Sequence, residues 1–307
     1  MLAVFPSSPI HPKKPDSAFE DEVAVAKKVG FEIGFVDLEL NFGGDVKLRI
    51  PEGSGRAVYR GWIVKPEEYR RLDEALKAEG YTLLNDSVAY QHCHHLPEWY
   101  QGVGPELTPR SIWFPSDKLG PYGSVLLAPG NFELGEVADN VHRVFGDKSL
   151  ILKDYVKSRK HEWYDACFIR SAADTNEVKR VLSNFLRLQG DQLVGGLIFR
   201  EYVDFKRIGL HSKSRMPLIQ EFRFFISNHK ILGCFPYWNE GRYEGDLPPA
   251  SVIEPLLPKI QSCFFTADVA QKEDGSWLVV ELGDGGASGV PDGSDPVVMY
   301  QGLLDSV

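Results

Sequence analysis

No apolar run in the 307 residues approaches the roughly 20 that a membrane span needs, which excludes a transmembrane helix. The apolar N-terminal Leu2–Phe5 is followed at once by Pro6, Pro9, Pro12 and Pro15. It is too short for a secretory signal, so a cytoplasmic protein with no membrane partner is expected. Cysteine is scarce: Cys93, Cys167, Cys234 and Cys263 lie scattered without a Cys-x-x-Cys pair, which argues against a disulfide framework and for reduced thiols. Positive charge is in deficit, with a net charge of −9, and a general binder of nucleic acid needs the opposite balance. There is no Walker-type phosphate loop, no nucleophile elbow, no internal repeat and no low-complexity tract.

What is present is a chain long enough for two or three lobes, with 43% hydrophobic and 25% charged residues, ordinary for a globular protein. Strand and helix patterns alternate through the first hundred residues. Leu2–Phe5 reads as a strand, Ser17–Lys28 as a helix closed by Gly30, and Phe31–Leu38 as a second strand. Ala57–Val64 is a further strand; Pro66 opens a helix reaching Ala78, and Tyr81–Leu84 begins the next strand. Such repeats predict a small parallel α/β sheet. From Tyr90 to Asp147 the pattern is irregular and reads as connections and short strands. Ser149–Val156 is a strand and Glu177–Leu188 an amphipathic helix with Asp174 at its start. The last third is rich in strands: Gly196–Val203, Glu221–Ser227, Lys230–Phe235, Phe264–Ala270 and Trp277–Leu282.

The most informative stretch is FFTADVAQKEDGSWLVVELGDGG, in which Asp274-Gly275 between two β-rich runs signals a hairpin. An even loop centred on that dipeptide sets Asp268 directly opposite Glu281, and like charges facing each other destabilise the pair. A hard divalent cation such as Mg²⁺ is the usual compensation, with Asp284 a candidate third oxygen ligand. Two carboxylates on a solvated face are the plain alternative, and a three-residue loop would shift the register and remove the argument.

Cationic candidates come from elsewhere. Period-two alternation in LILKDYVKSRK puts Lys153, Tyr155 and Lys157 on one strand face, and Lys153 interrupts an otherwise apolar core. Lys157, Arg159 and Lys160 read individually as a solvated basic turn. EFRFFISNHKILGCF is a hairpin turning at Asn228-His229, with Glu221 and Arg223 on the face opposite Phe222 and Phe224. His92, Cys93, His94 and His95 invite a zinc reading, but their adjacency suits a polar loop better than tetrahedral ligation. GDGGASG reads as a flexible loop beside the site rather than a phosphate cradle, and Arg60, Trp62 and Arg110 are candidates for an acceptor pocket.

Taken in order, a strand lysine, REYV, E-x-R-x-F, and an Asp strand paired to an E-L-G-D strand, the chain resembles the ATP-grasp superfamily over about residues 149–291. It resembles most the small phage and bacterial ATP-grasp clade, and more distantly the eukaryotic ATP-grasp chaperones that assemble translation initiation factor two. The resemblance implies a mixed α/β and α+β fold: an N-terminal parallel α/β lobe over residues 1–115, then two ATP-grasp subdomains, 116–200 and 201–307, clasping the nucleotide. It implies that Lys153 touches adenine and phosphates, that Lys157 and Ser158 lie on a loop closing over the phosphates, and that Glu201, Tyr202 and Val203 line the adenine hinge. Glu221 would line the nucleotide site, Arg223 would contact phosphate or acceptor, and Asp268, Glu281 and Asp284 would hold Mg²⁺. Gly283 stands where many members carry Asn, which leaves Asp284 as the substitute. The activity implied is a Mg-ATP-dependent carboxylate–amine or carboxylate–thiol ligase working through an acylphosphate, with Lys153 and Arg223 as catalytic residues. The alternative is an ATP-binding assembly chaperone or clamp for a protein partner.

Overall fold

The computed structural model describes residues 1–37, 46–116 and 134–306; the expected strand end at Leu38 and part of the irregular stretch fall outside them. Strands β1 (Leu2–Pro6), β2 (Glu32–Asp37), β3 (Lys47–Arg49), β4 (Gly55–Tyr59) and β5 (Tyr81–Leu83) form one sheet in the order β3-β2-β1-β4-β5. All neighbours pair in parallel except β2 with β3. The central strand is buried on both faces, as parallel sheets require. Leu2 and Val4 pack with Tyr69, Leu72 and Leu76 of helix α2 (Pro66–Ala78). Ala3 and Phe5 pack with Ala26 of α1 (Glu20–Val29) and with Met299 and Leu303 of the C-terminal helix, Val297–Asp305. Gly30 ends α1 at φ 113°, a left-handed value that costs glycine least.

The stretch taken as irregular contains three helices among the described residues, a departure from the sequence expectation. Asp86 caps α3 (Ser87–His94) by accepting from the amides of Val88 and Ala89, and α4 (Leu96–Val103) follows after His95 alone. Pro97 reads as a breaker but sits in the first turn of α4, where its missing N–H is not needed. Helix α5 spans Leu134–Phe145.

A second sheet is built from β6 (Ser111–Pro115), β7 (Leu150–Asp154), β8 (Phe168–Ile169) and β9 (Gly196–Glu201), all antiparallel, in the order β6-β9-β7-β8. Strand β6, which lies within residues 1–115, therefore belongs to the middle sheet. Leu150, Leu152, Leu197 and Phe199 face α5 and α6 (Thr175–Gln189), whose Val178, Leu182 and Phe185 cover them. Alternation leaves Ile151, Lys153 and Arg200 on the other face. A two-stranded ribbon, β10 (Arg207–Leu210) with β11 (Pro217–Ile219), leads into the third sheet.

That sheet is antiparallel in the order β13-β12-β14-β15, with β12 at Glu221–Ser227, β13 at Lys230–Pro236, β14 at Phe264–Gln271 and β15 at Trp277–Asp284. Phe222, Phe224, Ala267, Val269 and Leu282 bury one face against Cys93, Leu96 and Trp99 of α3 and α4. The β12–β13 hairpin turns at Asn228 and His229, both at positive φ (46° and 64°), as a tight two-residue connection demands. The C-terminal helix Val297–Asp305 is α7. Among the described residues no helix is long and apolar enough to cross a membrane.

Candidate functional site

The aromatic faces of β12 and β14 are committed to the core, so their charged residues meet on the opposite side. Arg223 stands abreast of Asp268, and Asp268 abreast of Glu281, forming one row across β12, β14 and β15. The pairing of the two carboxylates arises differently from the sequence argument. The turn is a three-residue loop, Glu273–Gly275, closed by hydrogen bonds between Lys272 and Ser276 and with Gly275 at φ 84°. That loop shifts the register near the turn, pairing Val269 with Val279, and a β-bulge beside Asp268 shifts it back. Arg200 on β9 holds the bulged segment, donating to the carbonyls of Val279 and Val280 and to the hydroxyl of Thr108. Burial pulls the Arg200 guanidinium down to about 10, against the pull of Glu281.

The like charges are compensated by the protein's own cations. Arg223 binds Asp268 in a fork, Nε to Oδ1 at 2.8 Å and Nη2 to Oδ2 at 2.7 Å, and its guanidinium lies 4.8 Å from the Tyr237 ring centre. Lys153, reaching across from β7, donates to Glu281 Oε1 at 2.5 Å. Burial raises the Glu281 carboxyl, but Lys153, Lys160 and Arg200 outweigh it and hold the group down at about 2. Lys160, read from the sequence as solvated, is folded back so that its ammonium sits 5.4 Å from the ring centres of both Tyr237 and Trp238. Burial opposes its charge, yet Tyr237, Glu221, Glu281 and Asp268 keep it protonated. Glu221 is 3% exposed, and burial together with Asp268 pushes its carboxyl up, against Lys160 and Arg223.

Two connected cavities lie along this wall. One, of 130 Å³, is lined by Lys153, Ser158, Lys160, Glu221 and Glu281 and by the hinge residues Glu201, Tyr202 and Val203. The other, of 450 Å³, is lined by Lys157, Ser158, Lys160, Arg223, Asp268 and Glu281. Ser158, Lys160 and Glu281 belong to both, so the cleft is continuous. The structure thus brings ten of the expected residues together. It does not bring Asp284, whose side chain leaves β15 on the opposite face, where its carboxylate accepts from Asn85 Nδ2 at 2.6 Å and from the Ala287 amide at 2.9 Å. Burial pushes that carboxyl up to about 6 in spite of those donors. Lys157 also departs from the expected strand face: β7 ends at Asp154, whose Oδ1 accepts from the amides of Val156 and Lys157 and turns the chain.

The cleft floor is closed by residues 285–289. Arg60, expected at an acceptor pocket, is a buried strut instead: it donates to Glu22 Oε1 at 2.6 Å, to Ser288 O at 2.8 Å and to Gly285 O. Gly286 is required here, since a Cβ would lie 2.2 Å from the Tyr59 carbonyl oxygen. Arg110 lies over the Phe145 ring, away from the cleft. Lys160, Arg200 and His94 are the site residues that sequence reasoning did not assign to the nucleotide cleft; only the break in strand pattern after Asp154 hints that the following lysines fold inward.

The donor set suits a hard cation: two carboxylates abreast, facing a polar chamber with room for more oxygen ligands. Among the described residues no cluster of three or more His, Cys, Asp or Glu side chains could hold a metal ion by itself, the His92–His95 run included.

No curated protein sequence matches the chain. Solved structures match it along nearly its whole length. A RimK domain protein ATP-grasp from Sphaerobacter thermophilus DSM 20745 is 13% identical, with a TM-score of 0.61 over 100% of this chain and 98% of that one. D-cycloserine synthetase DcsG is 11% identical, with a TM-score of 0.58 over 99% of both chains. The ATP-grasp ligase PsnB, complexed with precursor peptide PsnA2 and AMPPNP, is 14% identical, with a TM-score of 0.52 over 99% of this chain and 97% of that one. At such identities the likeness establishes the shared fold. A family profile described as an ATP-grasp domain, clade family 3, matches residues 144–303, which span β7 to α7 and so every strand that supplies the cleft; the chain is a member of that ATP-grasp family.

Proposed function

We propose that the chain is an ATP-dependent ligase that binds Mg·ATP between its second and third sheets and activates a carboxylate for attack by an amine or thiol. The observation that carries the reading is the row Arg223–Asp268–Glu281 facing Lys153 and Lys160 across one continuous cleft. The fold shared with a synthetase and a peptide-bound ligase supports it. The lobes divide as an N-terminal unit ending just before β6, then the two grasp subdomains, which moves the first border slightly from 115 to about residue 110.

The adenine would lie in the smaller cavity against Glu201, Tyr202 and Val203, with Glu221 near the ribose. Lys153, Lys160 and Arg223 would bind the phosphates, and Lys157 and Ser158 would fold over them from the turn after β7. Asp268 and Glu281 would hold Mg²⁺, which neutralises phosphate charge as the phosphoryl group moves. For those contacts to form, Arg223 and Lys153 exchange carboxylate partners for phosphate oxygens, which keeps the cation count of the cleft unchanged. The γ-phosphoryl then passes to an acceptor carboxylate oxygen: the bond to ADP breaks, an acylphosphate forms, and the amine or thiol displaces phosphate. Positioned positive charge does this work, and no protein nucleophile is needed.

The test is ADP and phosphate release by the purified protein with Mg·ATP, with and without carboxylic acids and amines. Release that depends on both supports the ligase. Tight Mg·ATP binding with no release under any pairing would favour an ATP-gated clamp for a protein partner.

A further inference from the structure

Beside the cleft lies a side chamber of 330 Å³, within the range of roughly 300–1,000 Å³ typical of small-molecule sites. Its walls come from three places: the loop after β4 with Trp62 and Ile63, the end of α3 with His94 and His95, and the turn after β7 with Val156 and Lys157. Ile63, His94, Val156 and Lys157 also line the chamber that holds Asp268 and Glu281, so the two spaces open onto each other.

The chemistry of these walls is unspent. His94 and His95 are 7% and 8% exposed, and the Nε2 atom of each is buried without a hydrogen-bond partner among the described residues. A buried polar group left unpaired costs about 1–3 kcal/mol, so these nitrogens favour whatever ligand satisfies them. Glu68 is already engaged by the Lys65 amide at 2.8 Å, while the exposed Lys157 stands at the opening with its positive charge. At the mouth, Trp62 is 50% exposed and Ile63 37%, an apolar pair that the fold does not bury.

We propose that this side chamber seats the carboxylate-bearing acceptor, an apolar amino acid or the apolar end of a short peptide, with its carboxylate turned to Lys157 and His94 at the opening into the nucleotide cleft. The proposal rests on the ligase reading and adds the substrate class and the residues that select it. Trp62 and Ile63 hold the apolar side chain, and the imidazoles of His94 and His95 hydrogen-bond the polar end. The volume admits an amino acid or a dipeptide end and leaves the rest of a longer peptide outside, past Trp62.

The experiment uses the full chain with Mg·ATP and hydroxylamine, which traps an activated carboxylate as a hydroxamate whatever the natural amine. The probes are L-leucine, L-phenylalanine, L-glutamate and L-lysine, with Gly-Gly-Leu as the peptide arm. Apolar acids are expected to give hydroxamate at least tenfold faster than glutamate or lysine, and the better of leucine and Gly-Gly-Leu identifies free amino acid or peptide end as the source. Trp62→Ala and His94→Gln are expected to raise the acceptor KM tenfold or more while ATP affinity changes less than twofold; Trp62 is exposed, so its variant folds even where His94→Gln does not. Hydroxamate formation with unchanged acceptor KM in both variants would overturn the chamber and leave the ligase standing. Failure of every probe acid, with ATP still bound, would overturn the acceptor class, and a protein that binds no Mg·ATP would overturn the ligase reading itself.

Discussion

Replacing Arg60 with Met tests how the N-terminal lobe supports the cleft. The guanidinium is 1% exposed, and its fork joins α1 through Glu22 to the carbonyls of Gly285, Gly286 and Ser288. The same Glu22 oxygen accepts from the Tyr300 hydroxyl at 2.6 Å, so the strut also reaches α7. Met keeps much of the stem but leaves the Glu22 carboxylate, in a side chain 14% exposed, without its cation. Breaking a buried ion pair from one side costs about 3–5 kcal/mol, most of it the uncompensated charge. Arg60→Met is therefore expected to lose about that much in urea unfolding. Glu22→Gln removes the stranded charge, and the double variant should show a coupling energy of about 1–3 kcal/mol relative to the two single variants. A loss below about 1 kcal/mol for Arg60→Met, or strict additivity, would refute the strut.

Two further outcomes follow from the electrostatics. Burial lowers His94 to about 3, below the unfolded value near 6.5, so its contribution to stability is full above pH 6.5 and falls as the unfolded chain takes up a proton. Between pH 7 and pH 5 the wild type should lose about 2 kcal/mol relative to His94→Gln, read from paired melts; the opposing effect of Asp284, raised to about 6, is common to both proteins. A pH-independent difference would contradict the buried neutral imidazole. Lys160→Met removes the ammonium held by Tyr237 and Trp238, and the loss of a charge-assisted phosphate contact of about 1.5–3 kcal/mol should weaken Mg·ATP binding roughly tenfold to a hundredfold by calorimetry. A change under twofold would remove Lys160 from the site.

Much of the architecture was legible because its signals are local. Helix α2 begins at Pro66 and ends at Ala78, as its proline and its apolar spacing indicate, and the Asn228-His229 turn fixes the β12–β13 hairpin. The Asp268–Glu281 pairing was reached through an even loop, whereas the chain uses an odd loop and a bulge that restores the register. The bulge depends on Arg200, 80 residues away, and no local pattern encodes it. Helices α3 and α4 were hidden because each is only eight residues long and they are joined at His95, so neither offers a sustained period. Asp284 looked like a ligand because it follows Glu281 closely, but an odd spacing along a strand sends it to the other face, toward Asn85. Lys160 reads as a surface charge in isolation, since its partners come from the third sheet and the loop after it.

The central claim is that Asp268 and Glu281 hold magnesium beneath a bound triphosphate. Calorimetric titration of ATP into wild type, Asp268→Asn and Glu281→Gln, each with and without Mg²⁺, tests it most directly. The account predicts that Mg²⁺ strengthens ATP binding to the wild type and that each variant loses at least tenfold of that Mg²⁺-dependent gain while its metal-free affinity holds or improves. Equal gains from Mg²⁺ in all three proteins, or no ATP binding by the wild type, would contradict it.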